Sequence, residues 1–133
     1  METGMNQGKG EQARRLKLLL VDDEKGYAEV LAKRMALRDI DATVALSGTE
    51  AIQILRGRQF DAAVLDLKLE DMDGIEVLRI FKKMDPVMPV IMVTGHGSET
   101  AARQGIEYGA FDYLMKPCSL TLLIEKIRQA CSG

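Results

Sequence analysis

The sequence has one histidine, His96, and two cysteines, Cys118 and Cys131. Zinc prefers imidazole and thiolate ligands, and this supply is too small and badly spaced to make such a site. Two cysteines in 133 residues do not form a disulfide framework, and they read as reduced thiols of a cytosolic protein. Positive charge is not in excess either. Eighteen Lys and Arg face 20 Asp and Glu, for a net charge of −2, so the footprint of a nucleic-acid binder is missing. The short cluster Arg14, Arg15, Lys17 does not change that balance. No apolar run approaches the roughly 20 residues of a membrane span. Met1 to Glu11 has three glycines and no apolar stretch of the kind a secretion signal needs, and residues 1–15 read as a loose tail. What is present is ordinary: 47% hydrophobic and 29% charged residues, in a chain long enough to bury one core.

Apolar runs alternate with helical patterns along residues 16–131. Strands are expected at Lys17–Val21, Ala42–Leu46, Ala62–Asp66, Val87–Thr94 and Phe111–Met115. They read as near-continuous apolar stretches, the mark of strands buried on both faces. Helices are expected at Glu24–Arg38, Gly48–Arg58, Gly74–Met84, Ser98–Tyr108 and Ser119–Ala130. In the last, Leu120, Leu123, Ile124 and Ile127 fall on one helical face. Ser98 and Ser119 suit helix N-caps, and Gly109 suits a helix stop. Five β-α units in series predict an α/β fold, a doubly wound, flavodoxin-like parallel sheet covered by helices on both faces. With right-handed crossovers the common five-strand order is 2-1-3-4-5, and its ligand crevice opens where strands 1 and 3 diverge.

Charged residues sit where that crevice should be. Asp22 and Asp23 follow the first apolar run, Asp66 ends the third, and Lys116 follows the fifth. Crowded carboxylates repel one another, and a hard divalent cation relieves the repulsion. Mg2+ takes oxygen ligands, often one or two carboxylates plus a phosphate, and so fits this set. A carboxylate can itself accept a phosphoryl group. Lys116 is a compact charge able to reach a phosphoryl oxygen, and Thr94 ends the fourth strand with a hydroxyl at the same crevice. Gly95 leaves its N–H open to an anion and leaves room for a donor. Taken singly, Thr94 reads as a β-branched strand residue, Lys116 as a solvated lysine and the acidic pair as a helix start. Their recurrence at matching strand ends favours a site.

The run Leu18-Leu19-Leu20-Val21-Asp22-Asp23-Glu24, the segments Val64-Leu65-Asp66 through Asp73-Gly74 and Val93-Thr94-Gly95, and Tyr113-Leu114-Met115-Lys116-Pro117 together resemble a response-regulator receiver domain of two-component signalling. The resemblance spans about residues 16 to 131 and points to a fold like that of chemotaxis regulators. It implies Asp66 as phosphoacceptor, with Asp22, Asp23 and Asp66 as Mg2+ ligands beside the backbone carbonyl of Lys68. It implies Lys116 as the lysine on the phosphoryl group and a cis bond between Lys116 and Pro117. Thr94 and Tyr113 match the switch pair, whose movement alters the face formed by the fourth helix, fifth strand and fifth helix. A sensor histidine kinase is the implied phosphoryl source. A downstream protein or an appended output domain is the implied receiver of the signal, with a homodimer possible in principle. Neither nucleic acid nor membrane is an expected partner of this segment.

Two departures stand out. Glu70 occupies the position where similar proteins often carry proline, which predicts a less rigid and more acidic loop. Lys68 and His96 lie two residues beyond Asp66 and Thr94, where side chains of similar proteins tune hydrolysis of the aspartyl phosphate. An alternative is an aspartyl-phosphate phosphohydrolase, which resembles Asp-x-Asp at its nucleophile; Lys68 stands where the second acid would be. A flavodoxin-type cofactor module needs a Gly/Ser/Thr-rich loop after the first strand, and Asp22-Asp23-Glu24-Lys25 stands there instead. The expectation is therefore a signalling switch rather than an enzyme, either stand-alone or part of a longer regulator.

Overall fold

The computed structural model describes residues 14–95 and 99–132. Five strands, β1 (Leu16–Val21), β2 (Ile40–Ala45), β3 (Ala62–Asp66), β4 (Val90–Thr94) and β5 (Asp112–Met115), form one parallel sheet in the order β2-β1-β3-β4-β5. Helices α1 (Lys25–Ala36), α2 (Gly48–Gly57), α3 (Gly74–Met84), α4 (Glu99–Glu107) and α5 (Leu120–Ser132) connect and follow them. The expected order 2-1-3-4-5 is the observed one. β3 and β4 are buried at every position, which is why they read as unbroken apolar runs rather than alternating ones.

Alternation along each strand still divides the core in two. Leu19, Val21, Ala63, Leu65, Val90 and Met92 face α2 and α3, where Ala51, Leu55, Val77, Leu78 and Phe81 meet them. Leu18, Leu20, Ala62, Val64, Ile91 and Val93 face α1 and α5, packing on Leu31, Met35, Leu123, Ile124 and Ile127. Fully burying each such side chain contributes about 1.5–3 kcal/mol, so both faces hold the sheet between helices and fix the ends of β1, β3 and β4.

Element ends differ from the sequence-based expectation in places with local causes. β4 begins at Val90, not Val87. The Asp85 carboxylate accepts from the N–H groups of Val87 and Met88, and the Lys82 ammonium donates to the carbonyls of Pro86 and Met88. These bonds make a turn, and Val87 is left 87% exposed. α1 ends at Ala36 and tightens into a turn in which the N–H groups of Leu37, Arg38 and Asp39 donate to the carbonyls three residues back. Asp39, left-handed at φ 65°, then reverses the chain, and β2 starts directly after it. Ser119 does cap α5, accepting from Leu122 N–H at 3.0 Å. Gly109, φ 106°, ends α4 as expected. The Ser98 cap lies outside the described residues, as does most of the expected tail (residues 1–13).

Candidate functional site

Parallel strands present their carboxyl ends on one side, and that side gathers the charges. Asp22 follows β1, Asp66 ends β3, Thr94 ends β4 and Lys116 follows β5. Asp22 and Asp66 are 3% and 7% exposed, and Thr94 is 1% exposed. Two carboxylates this deep need partners. Each has the same pair. One oxygen of Asp22 accepts from Glu24 N–H at 2.9 Å, and one oxygen of Asp66 accepts from Lys68 N–H at 2.9 Å. The other oxygens take the Lys116 ammonium, at 3.0 Å from Asp22 and 2.9 Å from Asp66. The short Asp-to-backbone bonds fix the carboxylate planes, and the lysine bridges them.

Asp23, half-buried at the cleft edge, completes a cluster. One carboxylate oxygen from each of Asp22, Asp23 and Asp66 lies within 4.8 Å of the others. Three carboxylates against one ammonium leave two negative charges in excess. A divalent cation restores balance, and an all-oxygen donor set suits Mg2+ rather than a softer metal. Lys68 lies beside the cluster through its N–H bond to Asp66, and no backbone donor among the described residues reaches its carbonyl. The residues present therefore fit the cation that the sequence suggests.

Lys116 is held charged. Burial favours its neutral form, but hydrogen bonds to Asp66 and Asp22 and their negative charges outweigh burial and raise its pKa well above the ordinary lysine value. The Lys116–Pro117 bond is cis, as the resemblance implied. The ammonium also lies over the Tyr27 ring, 5.0 Å from its centroid. Burial beside this cluster pushes the Tyr27 phenol above its usual value. Sequence reading missed Tyr27. Its signal was its place in the first turn of α1, just after the acidic pair Asp22-Asp23.

The Thr94 hydroxyl is bonded locally in this state, donating to the Gly95 carbonyl at 3.1 Å rather than to an acid. A Cβ at Gly95 would meet no atom within 4 Å, so open space lies beside it. Tyr113 is half-buried, paired with Met92 across β4 and β5 and packed against the core on the α2–α3 face. The cleft mouth is lined by Asp23, Glu24, Lys68, Leu69, Glu70 and Gly95. Lys68 is exposed there, and His96 lies outside the described residues. The loop from Leu67 to Asp73 lacks the proline but is tied down. Gly74 N–H donates to the Leu67 carbonyl at 3.2 Å, and Lys68 and Asp73 form an isolated antiparallel bridge. These bonds close the base of the loop.

Comparisons with known proteins agree with this architecture. The sequence matches the family described as response regulator receiver domain over residues 18–128. A response regulator of Rickettsia felis, described as NtrX-like, is 36% identical over 118 residues, covering 87% of this chain and 25% of its own. The transcriptional regulatory protein GlrR of Escherichia coli K12 is 34% identical over 113 residues, covering 85% of this chain and 26% of its own. The chain thus spans about a quarter of the length of these curated relatives. Among solved structures, the receiver domain of the Francisella response regulator 1452 superposes with a TM-score of 0.82 at 31% identity, over 89% of this chain and 98% of that one. The receiver domain of NtrX from Brucella abortus gives a TM-score of 0.82 at 29% identity, over 87% of this chain and 98% of that one. Among the described residues no helix is long and apolar enough to cross a membrane. Sheet order, charge placement and sequence match converge: this chain belongs to the response regulator receiver domains of two-component systems.

Proposed function

We propose that this receiver accepts a phosphoryl group on Asp66 from a sensor histidine kinase and changes its α4–β5–α5 face in response. The observation that carries the reading is the Lys116 ammonium shared between the buried carboxylates of Asp66 and Asp22, with Asp23 converging on them. Asp22, Asp23, Asp66 and the Lys68 carbonyl hold Mg2+ in this reading. When bound, the cation neutralises charge on the transferring oxygens. An Asp66 oxygen forms the new bond to phosphorus as the donor's bond to phosphorus breaks. Lys116 pairs with Asp66 beforehand, at 2.9 Å, and contacts a phosphoryl oxygen afterwards, since its flexible stem can follow the charge.

Thr94 gives up its bond to the Gly95 carbonyl for a phosphoryl oxygen, and Tyr113 follows into the space vacated. Both packings exist beforehand, and the phosphoryl group shifts their populations through this contact. Ile106 on α4, Met115 on β5 and Leu122 on α5 are apolar side chains between 37% and 42% exposed, which supports the face as a docking surface. The listener is a downstream protein, an appended output domain or a second copy of the receiver. The module runs from residue 16 to 131 and acts in the cytoplasm as a switch, turning over no external substrate.

Incubation with Mg2+ and a small phosphodonor such as acetyl phosphate is expected to label Asp66 stoichiometrically and then stop. Continuous release of phosphate from a phosphate ester would instead support a hydrolase, and labelling that survives Asp66→Asn would overturn the acceptor. We also propose that Lys68 and His96 tune the lifetime of the phosphorylated form. Decay rates unchanged in both Lys68→Ala and His96→Ala would reject that role.

A further inference from the structure

A second carboxylate outside the cluster joins parts of the chain far apart in sequence. One oxygen of Asp71 accepts from Gly48 N–H at 2.9 Å. The other accepts from Thr49 N–H at 3.0 Å and from the Thr49 hydroxyl at 2.8 Å. These donors open α2, where backbone N–H groups have no partner within the helix. The helix does not need Asp71 for a local cap. Ser47 already accepts from Glu50 N–H at 3.0 Å, and the Glu50 carboxylate reaches back to Leu46 N–H at 2.7 Å. What Asp71 adds is a tie between α2 and the loop joining β3 to α3.

Packing follows the same line. A Cβ on Gly48 would lie 2.9 Å from both Met72 Sδ and Val77 Cγ2, so the start of α2 fits closely against the residue after Asp71. At its base the loop is closed on itself: a Cβ on Gly74 would stand 2.4 Å from Leu67 Cα. Lys68 belongs to the bridged pair at that base and donates to Asp66. The base, tip and α2 therefore form one clamped unit. Hydrogen bonds from the Thr49 and Gly48 backbone, with the Thr49 hydroxyl, hold the Asp71 carboxyl below its ordinary value, in keeping with an ionised clasp.

We propose that Asp71 is a positioning residue whose carboxylate clasps the β3–α3 loop to α2 and so places the Lys68 carbonyl at the cation site and the Lys68 N–H against Asp66. The role rests on the Mg2+ reading proposed above. Its charge lies outside the metal-ligand set, and its effect is exerted through the backbone of Lys68.

The test uses the full chain and the variants Asp71→Ala, Asp71→Asn and Thr49→Val. Mg2+ affinity is measured by calorimetry on the unphosphorylated protein, and hydrogen exchange of the Lys68 and Leu69 amides is followed without metal. Asp71→Ala is expected to weaken Mg2+ binding about tenfold, the low end for groups that orient a metal ligand. It is also expected to speed exchange at Lys68 and Leu69. Asp71→Asn, which keeps an acceptor oxygen, should fall between it and the parent. Thr49→Val, which loses one of the three bonds, should have the smallest effect. With acetyl phosphate, Asp71→Ala should need more Mg2+ for half-maximal labelling and reach nearly the parent rate at saturation. Parent protein that takes up no Mg2+ would overturn the cation reading and the clasp's role with it. Parent protein that binds Mg2+, with Asp71→Ala matching it within twofold, would overturn the clasp's role alone.

Discussion

Replacing Lys116 by methionine removes the ammonium and keeps most of the side-chain volume. Asp22 and Asp66, whose side chains are 4% and 9% exposed, then lose their shared counter-charge while Asp23 still lies against them. Breaking a buried ion pair from one side costs about 3–5 kcal/mol. The lysine side chain is 26% exposed, so water tempers the loss, and about 2–3 kcal/mol is expected. In a domain of this size that lowers the melting temperature by about 8–12 °C. The assay is thermal unfolding in EDTA and again in Mg2+. Mg2+ at 100 times its dissociation constant adds about 2.7 kcal/mol to any protein that binds it only when folded. At one fixed Mg2+ concentration the increment should be larger in Lys116→Met, where the cation relieves more repulsion and so binds more tightly. The pKa of Lys116 is raised on folding, so its contribution is fully present below the ordinary lysine value of 10.5 and fades as pH rises through the higher folded value. The gap between parent and variant should therefore hold across neutral pH and close only in strong alkali. A Lys116→Met protein that melts in EDTA within 2 °C of the parent would refute the view that this lysine holds the carboxylates together.

Gly74→Ala should destabilise by about 3 kcal/mol in urea unfolding, because its Cβ would stand 2.4 Å from Leu67 Cα and backbone cannot easily give way. Gly26→Ala, in the first turn of α1 with nothing within 4 Å of the new Cβ, should instead stabilise by about 0.5–1 kcal/mol in the same assay. Burial alone would raise the Asp112 carboxyl, but the Lys126 ammonium at 2.8 Å and the Tyr113 N–H lower it overall. Its stabilisation is thus present above the ordinary value of 3.8 and lost as pH falls through the lower folded one, so the roughly 0.5 kcal/mol deficit of Asp112→Asn should vanish in strong acid. Thr94→Ala should still be labelled at Asp66 by acetyl phosphate but should lose the accompanying change in Tyr113 ring resonances, and an undiminished change would remove Thr94 from the switch.

The order of strands was legible because burial on both faces leaves unbroken apolar runs, as in Ala62-Ala63-Val64-Leu65. Their ends were less so. Val87 continues the apolar pattern of β4 yet lies in a turn made by Asp85 and Lys82, whose side chains bond backbone groups that hydrophobicity does not register. The placement of Asp22, Asp66, Thr94 and Lys116 could be read because every β-α unit delivers its strand end to the same side of the sheet. Contacts without a local pattern stayed hidden. Nothing near Asp71 announces Gly48 and Thr49, more than 20 residues away, as its partners. The stacking of Lys116 over Tyr27 joins opposite ends of the chain, and only the closed fold brings them together.

The size of the proposed switch follows from what Thr94 gives up. Its hydroxyl makes one neutral hydrogen bond to the Gly95 carbonyl, worth about 0.5–1.5 kcal/mol net. A bond to a charged phosphoryl oxygen is worth about 1.5–3 kcal/mol, so the exchange favours the new packing by roughly 1–1.5 kcal/mol. That moves a two-state equilibrium by about five- to thirteenfold, well short of the 10,000-fold needed to reverse a 1:99 distribution. Thr94 alone therefore cannot throw the switch from a deeply inactive start. Either the active packing is already well populated, or the partner that docks on α4, β5 and α5 supplies the remaining bias by binding that packing more tightly. Tyr113 is compatible with the first condition. It is half-buried rather than locked in the core, and its cross-strand neighbour is Met92, a side chain soft enough to repack around either position.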